Sequence, residues 1–172
     1  MQITFFSQNF VPFTQNHAAF VTAELASQLV RKGSDVNVIL PQRQLVESGE
    51  IPLARRLTRV QVQEEGVEVS FARYDGRTPS GVDVHILEEQ GHVEESYSRS
   101  VFGKAASSLV DSFENQPDVL LVVDNGFTLE PAGAFDQLMK VLLVTDSKIS
   151  LDGLDGYDHV VVVGKSVAGS FE

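Results

Sequence analysis

The sequence predicts an α/β fold with a mostly parallel sheet, helices on both faces and a small antiparallel addition. Short, almost uniformly apolar runs recur along the chain, which is typical of strands buried on both faces of a parallel sheet. Segments with an apolar stripe at helical spacing lie between several of these runs, so strand and helix alternate as in βαβ units. A middle stretch alternates apolar and polar residues, which indicates half-exposed strands.

The N-terminal part of the chain predicts one complete strand–helix–strand unit. Its strands are residues 2–6 (QITFF) and residues 35–40 (DVNVIL). The apolar stripe of the intervening helix recurs every four residues, at Val21, Leu25 and Leu29. Gly33 comes directly after two cationic residues, and this order is typical of a helix C-terminus where glycine adopts a left-handed conformation.

The C-terminal part predicts three more buried strands and a second helix. The strands are residues 119–123, 141–144 and 159–163. We expect them to lie parallel in one sheet with the two N-terminal strands. A helix is predicted around residues 95–114, and its apolar face carries Val101, Ala105, Leu109 and Phe113.

The middle of the chain predicts the antiparallel addition. Residues 59–62, 67–74 and 82–87 alternate apolar and polar side chains, and residues 75–81 are suited to a hairpin turn. The segment 42–58 has a mixed composition that is compatible with either a short helix or a loop.

Composition limits the class of protein. The 172 residues are 42% hydrophobic and contain no recognisable linker or repeat, so we expect one domain over residues 1–172. The 13 basic and 24 acidic residues give a net charge of −11, which disfavours nucleic acid and anionic membranes as partners. No cysteine is present, which excludes disulfides and thiolate chemistry. Without an apolar run of about 18 residues or a signal peptide, we expect a cytoplasmic protein.

Several short strings of the chain carry a resemblance to a known family. Residues 11–13 (VPF) form a turn after the first predicted strand, and residues 31–36 (RKGSDV) and 38–41 (VILP) cover the end of the predicted helix and the second strand. Residues 116–119 (QPDV) and 159–163 (HVVVV) follow later in the chain. These strings occur in the same order as in the N-terminal half of bacterial glycogen synthases and plant starch synthases, and the chain resembles that family. The resemblance spans nearly all of this chain and implies one Rossmann-like domain of a two-domain glycosyltransferase.

The chain departs from the family where the resemblance implies donor binding. The family's loop lysine, which approaches the donor phosphates, corresponds to Gln15. Its paired glycines fall around Asn16, His17 and Ala18, with one residue deleted. Glycines at that point let backbone amides approach a phosphate at a helix N-terminus. Of the family's His-Asp-Trp-His segment only Asp124 is kept, and its Ile-His-Asn becomes residues 144–146 (VTD).

Polar residues after the predicted strands are candidates for ligand contact, because parallel α/β folds bind ligands at the carboxyl edge of the sheet. The candidates are Gln15, Asn16, His17, Asp124, Asn125 and Asp146. The aspartates could serve in acid–base chemistry, or they could simply cap turns after strands. No catalytic residue is assigned. No metal-ligand spacing and no phosphate-binding glycine motif occurs, so the sequence predicts neither a metal nor a cofactor.

The leading functional prediction is a binding or protein-interaction module that is inactive by itself. We expect a second copy or another protein to contact the loops at 9–20 and 124–132. The apolar part of that contact would come from Phe10, Phe13, Phe20 and Phe127. One alternative is the acceptor-side half of an ADP- or UDP-sugar glycosyltransferase, completed by a second domain, with a nucleotide sugar or a glucan as ligand. A third is an unrelated small-ligand binder with the same strand–helix pattern.

Overall fold

A computed structural model describes residues 1–41, 51–90, 99–124, 137–145 and 156–163. These residues form one nine-stranded sheet and two helices. The strands are β1 (Gln2–Phe6), β2 (Asp35–Pro41), β3 (Ala54–Arg55), β4 (Val60–Glu64), β5 (Val67–Arg77), β6 (Asp83–Gln90), β7 (Val119–Val123), β8 (Met139–Val144) and β9 (His159–Val162). The helices are α1 (His17–Arg31) and α2 (Arg99–Asp111).

The sheet is parallel over most of its width. Its order is β3-β5-β6-β2-β1-β7-β8-β9, and β4 pairs with β5 beside β3. All pairs from β6 to β9 are parallel, which confirms the predicted arrangement of the five apolar strands and adds β6 to them. The pairs of β5 with β3, β4 and β6 are antiparallel and form the predicted addition.

Strand β6 differs from its prediction as a half-exposed strand. Val84, Ile86 and Leu87 are all fully buried. The reason is that β6 lies between β2 and β5, so both of its edges are paired and both of its faces are covered in the middle. The predicted hairpin turn lies later than expected, because β5 continues to Arg77 and the turn is closed by Thr78, whose backbone N–H donates to Val82 O at 2.9 Å.

Helix α1 packs on one face of the sheet through small residues rather than through the predicted stripe. Its buried residues are Ala19, Thr22 and Ala26, whereas Val21, Leu25 and Leu29 are only partly buried. Small side chains bring the helix axis close to the sheet, so the larger apolar side chains lie along the margins of the contact. The predicted stop is confirmed, since Gly33 has a φ of 87° directly after the last turn.

Helix α2 packs on the opposite face, which confirms helices on both faces of the sheet. The described helix begins at Arg99, and the predicted residues 95–98 lie outside the described residues. Val101, Ala105 and Leu109 are buried as predicted, while Phe113 follows the end of the helix and is partly buried. Neither described helix has the length and apolar character needed to cross a bilayer.

Strand β9 is more exposed than its apolar sequence predicts. Val160 and Val161 are 43% and 46% exposed, although a strand of a parallel sheet is normally covered on both faces. Among the described strands β9 pairs only with β8 and forms that edge of the sheet. At the other edge lies β3, whose two residues belong to the segment 42–58 that is compatible with either a short helix or a loop by sequence. Residues 42–50 of that segment lie outside the described part of the chain.

Candidate functional site

The loop after β1 reaches the N-terminus of α1 and contains three of the predicted site residues. Asn16 is the N-cap of α1, because its Oδ1 accepts a hydrogen bond from the backbone N–H of Ala19 at 2.8 Å. The Nδ2 of Asn16 donates to Asn9 Oδ1 at 3.0 Å. Gln15 and His17 are exposed on either side of it. Asn16 therefore fixes the loop although it is itself exposed, whereas Gln15 and His17 are exposed without such a role in the loop.

Asp124 lies at the same edge, directly after β7, which is the neighbour of β1. Its backbone has a φ of 54°, a left-handed conformation that aspartate tolerates better than most residues. Its N–H donates to Leu143 O at 2.8 Å. Its carboxylate accepts hydrogen bonds from the backbone N–H of Thr145 at 2.6 Å and from the Thr145 hydroxyl. Asp124 thus ties the ends of β7 and β8 together.

Two further candidates, Asn125 and Asp146, lie outside the described residues, and so does Phe127. The predicted apolar contact is wrong for Phe10, which is only 1% exposed because it anchors the loop in the core beneath α1. Phe13 is partly buried against the same core. Phe20, on α1, is 57% exposed.

Replacing Asp124 with alanine is expected to lower the free energy of unfolding by about 2.5–4 kcal/mol. Loss of hydrogen bonds to a charged acceptor accounts for about 1.5–3 kcal/mol, and a left-handed conformation costs alanine about 1 kcal/mol more. Asp124→Asn keeps one oxygen acceptor and the left-handed tolerance, so its loss should be clearly smaller. Urea unfolding of both variants measures the difference. Equal stability of wild type and Asp124→Ala would contradict the bridging role.

A buried polar cluster that the sequence did not predict lies on the α2 face of β2, β5 and β6. Asp75 Oδ1 is 2.8 Å from His85 Nδ1, and His85 Nε2 is 3.1 Å from Asn37 Oδ1. The same carboxylate accepts hydrogen bonds from Arg73 Nε at 2.7 Å and from Arg56 Nε at 2.5 Å. The His85 ring also lies 5.2 Å from the Phe113 ring, centroid to centroid.

The environment of Asp75 has opposing effects on its acidity. Burial by itself raises the pKa of the Asp75 carboxyl. The hydrogen bonds from His85, Arg73 and Arg56 outweigh burial and hold this pKa well below its ordinary value of 3.8. Asp75 is therefore a carboxylate at every physiological pH.

Only one signal in the sequence could have indicated this cluster. Arg73, Asp75 and Arg77 alternate along the sequence, so their side chains share one face of β5, but only Arg73 lies in the predicted strand 67–74 and the other two fall in the predicted turn. His85 lies in the segment 82–87, which was predicted to be half-exposed, whereas only 8% of His85 is exposed. Within the described ranges no group of His, Asp and Glu side chains is arranged to hold a metal ion.

Comparison with known proteins gives similarity to solved structures. No protein-family model matches the sequence, and no curated protein matches it. Among solved structures, the chain is similar to the catalytic domain of starch synthase IV from Arabidopsis thaliana, in a structure bound to ADP and acarbose. The TM-score is 0.73 at 18% sequence identity, over 86% of this chain and 34% of that chain.

These findings define a glycosyltransferase-like Rossmann fold with a mostly parallel central sheet. At 18% sequence identity the structural similarity establishes the fold, whereas the chemistry depends on the residues of the site. The chain spans about a third of the catalytic domain that it matches.

Proposed function

We propose that this chain is a glycogen/starch-synthase-like N-terminal domain, folded over residues 1–172, that acts as a binding or protein-interaction module and does not transfer sugar by itself. The observation that carries the proposal is that Asn16 and Asp124 accept hydrogen bonds from backbone N–H groups of the chain itself. Both lie at the carboxyl edge of the sheet, where such folds bind ligands, and both hold the chain's own backbone there.

The lack of positive charge in the loop after β1 supports the proposal that the domain is inactive by itself. The loop from Ser7 to Asn16 contains no lysine and no arginine. A leaving nucleoside diphosphate is stabilised mainly by positive charge and hydrogen-bond donors, and loss of one such contact lowers the rate about 10²–10³-fold. Gln15, which the resemblance aligns with the family's loop lysine, supplies no charge.

The purified chain is accordingly expected to transfer no glucose from ADP-glucose or UDP-glucose to glycogen. An active starch synthase in the same assay is the positive control, and release of labelled nucleoside diphosphate is the readout. Measurable turnover by the 172-residue chain, above that of a heat-denatured sample, would contradict the proposal.

A second candidate function is the acceptor-side half of a glycosyltransferase that a second domain completes. The similarity to a catalytic domain bound to ADP and acarbose favours it, together with the exposed Gln15 and His17 at the N-terminus of α1. Calorimetric titration with ADP and with acarbose separates the two functions. Saturable binding of either ligand, without turnover, favours the half-enzyme, and binding of neither favours a module whose partner is a protein or a second copy.

A further inference from the structure

We infer that Arg56 and Arg73 form a binding site for the phosphate group of a small molecule, at the β3–β5 edge of the sheet on the α2 face. The two residues are called the arginine pair below. This site stands independently of the proposed function. It lies four strands from β7, so at a strand spacing of about 4.8 Å it is about 19 Å from Asp124.

The arginine pair is held in place through one buried carboxylate. Arg56 Nε and Arg73 Nε donate to the two different oxygens of Asp75, at 2.5 Å and 2.7 Å. The backbone N–H of Arg56 also donates to Arg73 O at 2.8 Å, so the two residues are neighbours across the strands. Because Asp75 is only 9% exposed and is also bonded to His85, the anchor is rigid.

The segment that carries Arg56 is itself fixed by close packing. Residues 51–53 cross β5 at Gly76, where an added Cβ would be 2.9 Å from Ile51 Cγ2 and 2.9 Å from Leu53 Cδ2. Ile51 is buried and Leu53 packs on the core beneath α1. The position of Arg56 therefore depends on packed side chains on the opposite face of β5.

Among the residues that the structure describes, Asp75 is the carboxylate that forms ion pairs with the arginine pair. Two guanidinium groups share the single carboxylate of Asp75, and the next residue on the same face, Arg77, is paired with Asp83 at 3.5 Å. The contacts to Asp75 use Nε, and the described residues offer no hydrogen-bond acceptor to the Nη groups of the pair. The Arg73 side chain is 22% exposed, so a ligand can reach it from solvent.

A phosphate group fits this arrangement better than a carboxylate does. A guanidinium is planar and donates two parallel hydrogen bonds to an oxyanion, and phosphate presents enough oxygens for two such groups at once. The local excess of positive charge occurs in a chain with a net charge of −11, so it is a localised attraction for an anion. Since Asp75 remains ionised and bonded, the guanidinium groups are already oriented before the ligand arrives.

The site is tested with the full chain by ¹⁵N–¹H NMR, with inorganic phosphate and methyl phosphate as probes at constant ionic strength. We expect saturable shifts of the backbone and Nε resonances of Arg56 and Arg73. Arg56→Gln, at a side chain that is 58% exposed, should weaken binding at least about tenfold, because it removes charge-assisted hydrogen bonds. Arg31→Gln, an exposed arginine in the last turn of α1, is the matched control and should leave binding unchanged.

Three outcomes overturn the inference. The first is the absence of saturable shifts at the arginine pair. The second is equal weakening by Arg56→Gln and Arg31→Gln, which indicates unspecific attraction by net charge. The third comes from a phosphoserine peptide titrated in parallel. If it binds more than about tenfold tighter than methyl phosphate, the ligand is a phosphorylated protein rather than a small molecule.

Discussion

Replacing Phe102 with alanine is expected to lower the free energy of unfolding by about 3–5 kcal/mol. Phe102 lies on α2 and is fully buried in the core between that helix and the sheet, beside Phe71 of β5 and Leu120 of β7. Truncation removes the apolar contacts of the ring and leaves a cavity that the surrounding strands cannot close, because each is held by its hydrogen-bonded neighbours.

Urea unfolding followed by circular dichroism measures this effect. The matched control is Phe20→Ala on α1, which removes a phenylalanine that is 57% exposed and should change stability by about 0.5 kcal/mol or less. Phe102→Leu, which fills most of the volume, should lie between the two and remains measurable if the alanine variant does not fold. Similar losses for Phe102→Ala and Phe20→Ala would contradict the placement of α2.

Replacing Asp75 with asparagine is expected to lower the free energy of unfolding by about 3 kcal/mol, the low end for breaking a buried ion pair. The variant leaves two arginines and His85 around a site without negative charge. We expect a loss of stability at the low end of this range because the side chains of Arg56 and Arg73 are both partly exposed, so solvent screens their charges. Asp111→Asn, at an exposed position at the end of α2, is the control and should be close to neutral.

The contribution of Asp75 also depends on pH in a definite direction. Its pKa is lower in the folded protein than its ordinary value of 3.8, so the folded state favours the carboxylate. The stabilisation is complete above about pH 5 and is lost as the pH falls through 3.8 towards the folded pKa. The stability difference between wild type and Asp75→Asn should therefore shrink on acidification. A difference that grows as the pH falls would contradict the assignment.

Local patterns in the sequence predicted most of the sheet. Runs such as residues 119–123 are apolar at every position, which is typical of a strand buried on both faces, and Gly33 marks the end of α1 by its backbone freedom. Packing that depends on distant residues was missed. The contact face of α1 is built from Ala19 and Thr22 because the sheet accepts a close approach there, and no spacing along the helix reveals that distance.

In the candidate site, too, some features follow from the local sequence and others depend on residues that are distant in the chain. Asp124 was placed correctly at the carboxyl edge because it follows an apolar strand, but the hydrogen bonds to Thr145 that define its role come from another strand. The buried polar cluster needs the register of Asp75 opposite His85 and the approach of Arg56 from a separate segment. Both are tertiary features, and residues 19 positions apart in the chain give no local sign of meeting.

The position of β1 has a consequence for how the protein is made. β1 lies in the middle of the finished sheet, between β2 and β7, and it is synthesised before both of these neighbours. β2 follows soon after β1 in the chain and pairs with one of its edges, whereas the other edge pairs with β7, which is synthesised much later. The hydrogen bond between Gln2 and Asp118 joins residues that are 116 positions apart. At about 5–20 residues per second, translation takes roughly 6–23 s to supply that partner. For that interval the backbone N–H and C=O groups along one edge of β1 lack the partners that they have in the finished sheet.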